Sequence, residues 1–465
     1  MNFLKKVDKF SSNICFIDEK EKKTLYKNVL LQTDILSRNL KSRSLILVLA
    51  QNHKDFLVSY VSFFRKGLVQ MLIDSKVSNN ILKELIEAYA PNYILLPKSR
   101  TKDLKNYQIL NKLDKHIILK LNNDNFYSIN KDLALLLSTS GSTGSKKFVR
   151  ISYENIYQNT KSIINFLKIN ENHKTITTMP PFYTYGLSVI NTHLFVGASI
   201  LLTNIKVIEK SFWKLTKDQK ITSFAGVPYF FEILKKIKFN KFNLPDLKYF
   251  TQAGGALRKD LIEYFLNYAE KNKKKFIIMY GQTEATARMT YLPYKTFRKK
   301  IGSVGKPIKG GRIRLVNESS RDGKKGEIIY EGKNVSMGYA NNCNDLNKTD
   351  ENKGILRTGD LAIKDQDGFF YIIGRKSRDI KLFGHRINLD EIEQILFEKG
   401  YNCSCCGSDN EVTIFHVDST YNSEILEYIS KTINIHPDCF KLKHIKKFPL
   451  NENGKVSYKK LETFL

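Results

Sequence analysis

From Ser42 to Ser99 the chain repeats one rhythm of apolar and amphipathic runs. "SRSLILVLAQN" (42–52) reads as a buried strand and "KDFLVSYVSFFRKG" (54–67) as an amphipathic helix. "LVQMLIDS" (68–75) is a second strand, "NNILKELIEAYAP" (79–91) a helix and "NYILLPKS" (92–99) a third strand. Strands that are apolar almost throughout are buried on both faces, as in a parallel sheet covered by helices. The order strand–helix–strand–helix–strand therefore predicts an α/β fold with a doubly wound, mainly parallel sheet. The rhythm resumes with a helix at 154–169 and strands at 174–181, 198–204, 221–227, 247–254 and 274–281.

After Tyr280 the texture changes to short strands with turns, such as "GRIRLVNE" and "LAIKDQDGFFYIIGR", where Asp367-Gly368 is a hairpin signal. We expect a small antiparallel, barrel-like subdomain at about 290–375. Helices at 387–400 and 422–433 then flank "NCSCCGSDNEVTIFHVD", giving a small α+β C-terminal domain. A chain of 465 residues is too long for one ordinary core. The expected division is 1–375 and 376–465, with the hinge near 375–379. Three of the six cysteines, Cys403, Cys405 and Cys406, crowd into that last stretch. No second ligand pair follows at zinc-site spacing, so a hairpin with buried cysteines is the better reading.

The formal charge is +30, from 76 Lys+Arg against 46 Asp+Glu. The lysines are spread along the whole chain, with no aromatic-interleaved basic motif. This favours a solvated basic surface over specific nucleic-acid binding, and it suits acidic partners such as nucleotides or a carrier protein. No apolar run approaches the roughly 18–20 residues of a membrane span. "MNFLKKVDKFSSN" is too broken by charge for a secretory signal, so the expected location is cytoplasmic.

"STSGSTGSKK" (138–147) is the stretch most suited to phosphate. A Walker A loop needs G-x4-G-K-[ST], but counting from Gly141 reaches Lys146, and from Gly144 reaches Val149. G-x-G-x-x-G is absent as well. Glycines that let backbone N–H groups converge, hydroxyl donors and a lysine still make an anion-holding loop. "YGQTEAT" (280–286), "LRTGD" (356–360), "GRKSRDIKLFGHRINLDEIE" (374–393) and "PLNENGK" (449–455) follow it in order. Together these five motifs resemble the adenylate-forming, AMP-binding superfamily of acyl-CoA synthetases, peptide-synthetase adenylation domains and firefly-type luciferases. The resemblance runs from about Thr24 to Lys460.

That resemblance implies roles for residues of this sequence. Thr139, Ser140, Gly141, Ser142, Thr143, Gly144 and Lys147 match the loop that grips the ATP β- and γ-phosphates. The family usually ends this loop in Pro-Lys-Gly, where this chain has Lys146-Lys147-Phe148. Tyr280 and Gly281 should lie at the adenine, Thr283 at the α-phosphate, and Glu284 should ligate Mg²⁺. Asp360 should accept from the ribose hydroxyls, with Arg375 beside it. The Gly254-Gly255-Ala256 turn should approach adenine and acyl group closely. Lys455 matches the lysine that reaches carboxylate and α-phosphate during adenylation. Ser377 falls at the hinge, and Gly384 matches the glycine lining the thiol tunnel.

The implied reaction joins a carboxylic acid to ATP as an acyl-adenylate, then passes the acyl group to a thiol of CoA or of a phosphopantetheine carrier. Tyr183, in "MPPFYTYGLS", stands where the resemblance expects the peptide-synthetase aspartate or the acyl-CoA synthetase histidine. Tyr183, Tyr185, Phe224, Val227, Gln252 and Ala253 are the expected acid pocket, suited to a modest acid rather than a long alkyl chain. Three functions stay open: an acyl-CoA or acyl-carrier ligase, an amino-acid-activating ligase feeding a carrier, and a silent nucleotide-binding scaffold. His173, His193 and His385 are read as ordinary structural residues.

Overall fold

The computed structural model describes residues 3–104, 106–122, 127–139, 146–316, 324–382, 385–408, 411–419, 421, 423–433, 435–451 and 456–465. Two large mixed sheets carry the fold. The first has eight strands in the order Tyr339–Ala340, Phe148–Ser152, Leu133–Ser138, Val69–Asp74, Leu45–Ala50, Tyr93–Pro97, His116–Leu121, Tyr107–Lys112. Its centre is parallel, since Leu45–Ala50 pairs in parallel with both Val69–Asp74 and Tyr93–Pro97. Alternate residues of the Leu45–Ala50 strand serve two cores, as a period of two requires. Ile46, Val48 and Ala50 pack with Phe56 and Tyr60 of the helix Lys54–Lys66. Leu45, Leu47 and Leu49 pack with Leu82, Leu85 and Tyr89 of the helix Asn79–Tyr89.

The second sheet has nine strands, with Lys174–Ile176, Ser199–Leu201, Ser223–Gly226, Tyr249–Gln252 and Lys275–Tyr280 as its parallel middle. The helices Tyr153–Leu167 and Thr184–Val196 lie between the sheets. Leu187, Ile190 and Leu194 join the first sheet's core, while Tyr185 and Ile163 join Ala225, Tyr249 and Met279 of the second. Phe224, Phe250 and Phe276 pack on the outer face against three further helices.

The β-rich part is a four-stranded antiparallel sheet in the order Gly311–Val316, Lys325–Gly332, Ile355–Lys364, Phe370–Arg375. Thr290–Tyr291 and Lys306–Pro307 instead extend the nine-stranded sheet. The C-terminal domain has apolar clusters drawn only from residues 380–461. The cysteine stretch is the expected hairpin, Cys403–Gly407 against Val412–His416, with Cys405 and Cys406 buried. A third strand, Phe440–His444, adds to it in parallel. Among the described residues, no helix is long and apolar enough to cross a membrane.

Candidate active site

Asp360 is the centre of the site. It is 2 % exposed, on the strand Ile355–Lys364, opposite Arg375 on the neighbouring strand. Arg375 Nε donates to Asp360 Oδ1 at 2.9 Å, and Gln282 Nε2 donates to Oδ2 at 2.7 Å. The Tyr280 hydroxyl donates to the same Oδ2. Three donors compensate the burial of one carboxylate. Burial first, and the Asp360 charge second, push the Tyr280 phenol well above its ordinary range, so it stays a donor. The motifs "YGQTE", "RTGD" and "GR" thus meet at one carboxylate, across as many as 80 residues of chain.

The "YGQTEAT" turn is built tightly. A Cβ at Gly281 would collide with the Ala287 carbonyl. Thr286 and Ala287 both take positive φ, at 58° and 116°. Non-glycine residues rarely adopt such angles, and surrounding bonds must hold them there. Asn334 does so, since Nδ2 donates to the Ala285 carbonyl at 2.8 Å and the Arg288 carbonyl at 3.1 Å, while Thr286 Oγ1 donates to the Asn334 carbonyl at 2.7 Å. Thr283 Oγ1 lies 2.9 Å from Thr184 Oγ1. Sequence reasoning missed Asn334, which lies on a loop outside every recognised motif.

Glu284 is half-buried beside the lysine of the phosphate loop. Tyr339 hydroxyl donates to its Oε1 at 2.8 Å, and Lys147 Nζ stands 3.7 Å from the centre of the Tyr339 ring. Tyr339 therefore links the expected metal ligand to the expected phosphate lysine, another residue the motifs omit. Among the described residues no hydrogen bond to Glu284 Oε2 is seen, and a carboxylate oxygen of this kind suits hard Mg²⁺. Thr139 ends the described chain before the loop. Ser140, Gly141, Ser142, Thr143 and Gly144 lie outside the described residues, as do Gly384 and Lys455.

The unusual end of the loop has a packing reason. Phe148 is 2 % exposed and meets Tyr89 edge-on, with ring centroids 5.6 Å apart. The Tyr89 hydroxyl donates to the Lys146 carbonyl at 2.6 Å, and Lys146 Nζ lies 3.6 Å from Glu84 on the surface. The loop's exit is held by an aromatic anchor where the family has proline and glycine.

Gly254 has φ +88°, and a Cβ there would sit 2.7 Å from the Tyr183 hydroxyl and 3.2 Å from Val227. Gly255 accepts from Gln252 Nε2 at 2.8 Å, which fixes the turn. Tyr183, Val227, Gln252 and Ala253 therefore do gather at the Gly254-Gly255-Ala256 turn. Tyr185 goes deeper: its hydroxyl bonds Thr251 Oγ1 at 2.8 Å. Phe224 lies apart from this turn: its ring stacks on Phe250 at 5.4 Å in the outer core.

Behind Tyr185 lies a feature absent from the sequence reading. Arg288 is 3 % exposed, and its guanidinium lies 3.8 Å from the centre of the Tyr185 ring. Its Nε donates to Met279 Sδ at 3.3 Å, and no carboxylate pairs with it among the described residues. Burial pushes this guanidinium below its ordinary range, opposed by Tyr185 and Tyr183. A desolvated cation–π contact contributes about 2 kcal/mol. The penalty for burying an ion is several kcal/mol. The Arg288 guanidinium is therefore buried without a carboxylate countercharge among the described residues.

Arg288 borders a cavity of about 20 Å³, room for a single water, together with Thr251, Tyr249 and His193. His193, expected to be merely structural, presents an unpartnered buried Nε2. Its Nδ1 lies 2.8 Å from the Val189 carbonyl and so carries the proton. Burial lowers its pKa to about 4, which keeps the ring neutral near pH 7.

At the expected hinge, Arg375 is anchored to Asp360, whereas Arg378 pairs with residues that follow it in the chain. Arg378 pairs with Asp390 and Glu393, and lies 3.7 Å from the centre of the Tyr458 ring. Lys376 and Ser377 are exposed between them.

Known proteins resemble this chain in sequence and fold. The 2-succinylbenzoate–CoA ligase of Oceanobacillus iheyensis is 24% identical over 360 residues, spanning 76% of this chain and 73% of that protein. The o-succinylbenzoate coenzyme A synthetase of Bacillus subtilis, solved with ATP and magnesium ion, superposes with a TM-score of 0.79 at 19% identity, covering 99% of both chains. ATP-bound MatB from Rhodopseudomonas palustris superposes with a TM-score of 0.81 at 19% identity, covering 100% of this chain and 98% of that one. These likenesses establish the fold, a large α/β part followed by a C-terminal domain. The family model described as "AMP-binding enzyme" matches residues 3–340, and this chain belongs to that family.

Proposed function

We propose that this chain activates a carboxylic acid with ATP and passes the acyl group to the thiol of CoA. The observation that supports this most is the convergence of Tyr280, Gln282 and Arg375 on Asp360. A buried carboxylate with charged and neutral donors already aligned is suited to exchange one of them for ribose hydroxyls.

The remaining roles follow from residue chemistry. Thr139 to Gly144 and Lys147 hold the β- and γ-phosphates. Tyr280, Gly281 and Ala256 border the adenine, and Thr283 touches the α-phosphate. Glu284 holds Mg²⁺, which when bound supplies charge against the triphosphate. Lys455 offsets charge at the α-phosphate as a substrate carboxylate oxygen attacks it. The bond from the α-phosphorus to pyrophosphate breaks, and an acyl-adenylate forms. A thiolate sulfur then attacks the acyl carbon, and AMP leaves. The domain boundary falls at Arg375–Asp379, with Ser377 as pivot and Gly384 on the thiol side.

CoA fits the ligase relatives, and the +30 charge suits its phosphates as it would an acidic carrier protein. Among the described residues, no Asp or Glu borders the cavity beneath Tyr185, which disfavours an α-amino acid as substrate. A cytoplasmic location fits six cysteines that are all free.

The test is acid-dependent pyrophosphate release across a carboxylic- and amino-acid panel, with the adenylate trapped by hydroxylamine. CoA and a holo-carrier protein are then compared as acceptors. Expected are release with a subset of carboxylic acids and thioester formation with CoA. ATP binding without release for any acid would favour the scaffold instead.

A further inference from the structure

We propose that Arg288 binds a second anionic group of the substrate, so that the enzyme selects acids carrying a distal carboxylate. This inference rests on the acid-activating function proposed above and deepens it. Three observations carry it.

The first is an imbalance. Arg288 is 3 % exposed, yet its recorded partners are a thioether sulfur and an aromatic ring. Neither carries a formal charge. A guanidinium stays protonated in such a place, and its free N–H groups match a carboxylate in a two-pronged arrangement. The second is direction. The cavity that Arg288 borders also takes Thr251 and His193, whose buried Nε2 has no partner. Nδ1 holds the His193 proton, so Nε2 is an acceptor there, and Arg288 is the group that donates to an anionic oxygen while His193 accepts from a water or hydroxyl beside it. The third is position. Tyr185 lies against Arg288 and bonds Thr251, three residues before Gly254. Tyr185 and Thr251 thus stand between the expected acid pocket and the cavity that Arg288 borders, which would receive the far end of the acid. In the present structure it has room for a single water, and a carboxylate oxygen would replace that water while the flexible Met279 wall adjusts.

The test uses the full chain with ATP and Mg²⁺. Dicarboxylic acids of increasing length, aliphatic and aromatic, are each paired with their monomethyl ester, which keeps the length and removes the distal charge. Pyrophosphate release trapped by hydroxylamine gives kcat/KM, and calorimetry gives the affinity of each free acid. The wild type should prefer at least one diacid over its monoester by roughly 30-fold or more, the range for pairing a buried charge. Arg288→Met should erase or reverse that ratio, and Arg288→Lys should restore part of it. The wild-type comparison needs no variant, so a misfolded Arg288→Met leaves the inference testable. Monoesters equal to diacids in the wild type would overturn it while leaving acid activation standing. The same result follows if Arg288→Met lowers both equally. No release with any acid, despite ATP binding, would overturn the ligase function and this inference with it.

Discussion

Asp360 takes three donors on two oxygens, and that count sets what its substitution does. Asp360→Asn keeps the shape, removes the charge and turns one oxygen into a donor. That donor would face either Arg375 or the pair Tyr280 and Gln282. We expect ATP affinity to fall at least tenfold, with stability lowered by roughly 1–3 kcal/mol from the mismatched buried bonds. Calorimetric titration of ATP checks the first; an unchanged Kd would remove Asp360 from the nucleotide site. Asp360, Glu284 and Gly254 were legible because short strings with fixed spacing surround them. Arg288 was not. In "TEATARMT" it resembles any surface arginine of a strongly basic chain. Only the fold reveals that its side chain runs inward beneath Tyr185. His193 was hidden for the opposite reason: it sits in the apolar helix Thr184–Val196, where a histidine reads as core.

The element scale is set by how helices are pinned to sheet edges. Asp55 lies in the first turn of the helix Lys54–Lys66 and is 4 % exposed. Its Oδ2 accepts from the Lys115 and His116 amides at 2.7 and 3.0 Å, and lies 3.1 Å from His116 Nδ1. One carboxylate thus ties the helix to the strand His116–Leu121. Burial alone would raise its pKa, but the bonds from His116, His53 and Lys115 outweigh it and hold the carboxyl well below the usual range. A depressed folded-state pKa stabilises above the unfolded value near 3.9, and that stability is lost as pH falls below it. Asp55→Asn should therefore cost roughly 2–4 kcal/mol at pH 7 and flatten the loss of stability between pH 5 and 3. Urea midpoints across that range measure both, and equal slopes would contradict the assignment. The central strands were legible because their apolar runs were unbroken, though each is shorter than its run. The edge strand Tyr107–Lys112 was not, since it alternates irregularly and is half exposed. The strand Phe440–His444 was missed likewise, because lysines interrupt it.

For the whole molecule, the order of motifs along the chain was legible, while the way they meet in space came only through the resemblance and the fold. Two anchored arginines flank the proposed pivot. Arg375 is held by Asp360 of the large part, Arg378 by Asp390 and Glu393 of the small one. Lys376 Nζ also lies 3.7 Å from Glu327 of the large part, so rotation about the proposed pivot falls chiefly on Ser377. Proline fixes φ near −65° and disfavours helical geometry in the residue before it. Ser377→Pro should then hinder movement between the two half-reactions without touching either set of reacting groups. We expect acid-dependent pyrophosphate release in a single turnover to stay within a few-fold of wild type, while overall thioester formation falls tenfold or more. Lys455→Ala should do the reverse, abolishing adenylate formation while a supplied acyl-adenylate still reacts with CoA. Both half-reactions are read separately by rapid quench. If Ser377→Pro slows them equally, the pivot lies elsewhere; if Lys455→Ala does, one arrangement of the two domains serves both steps.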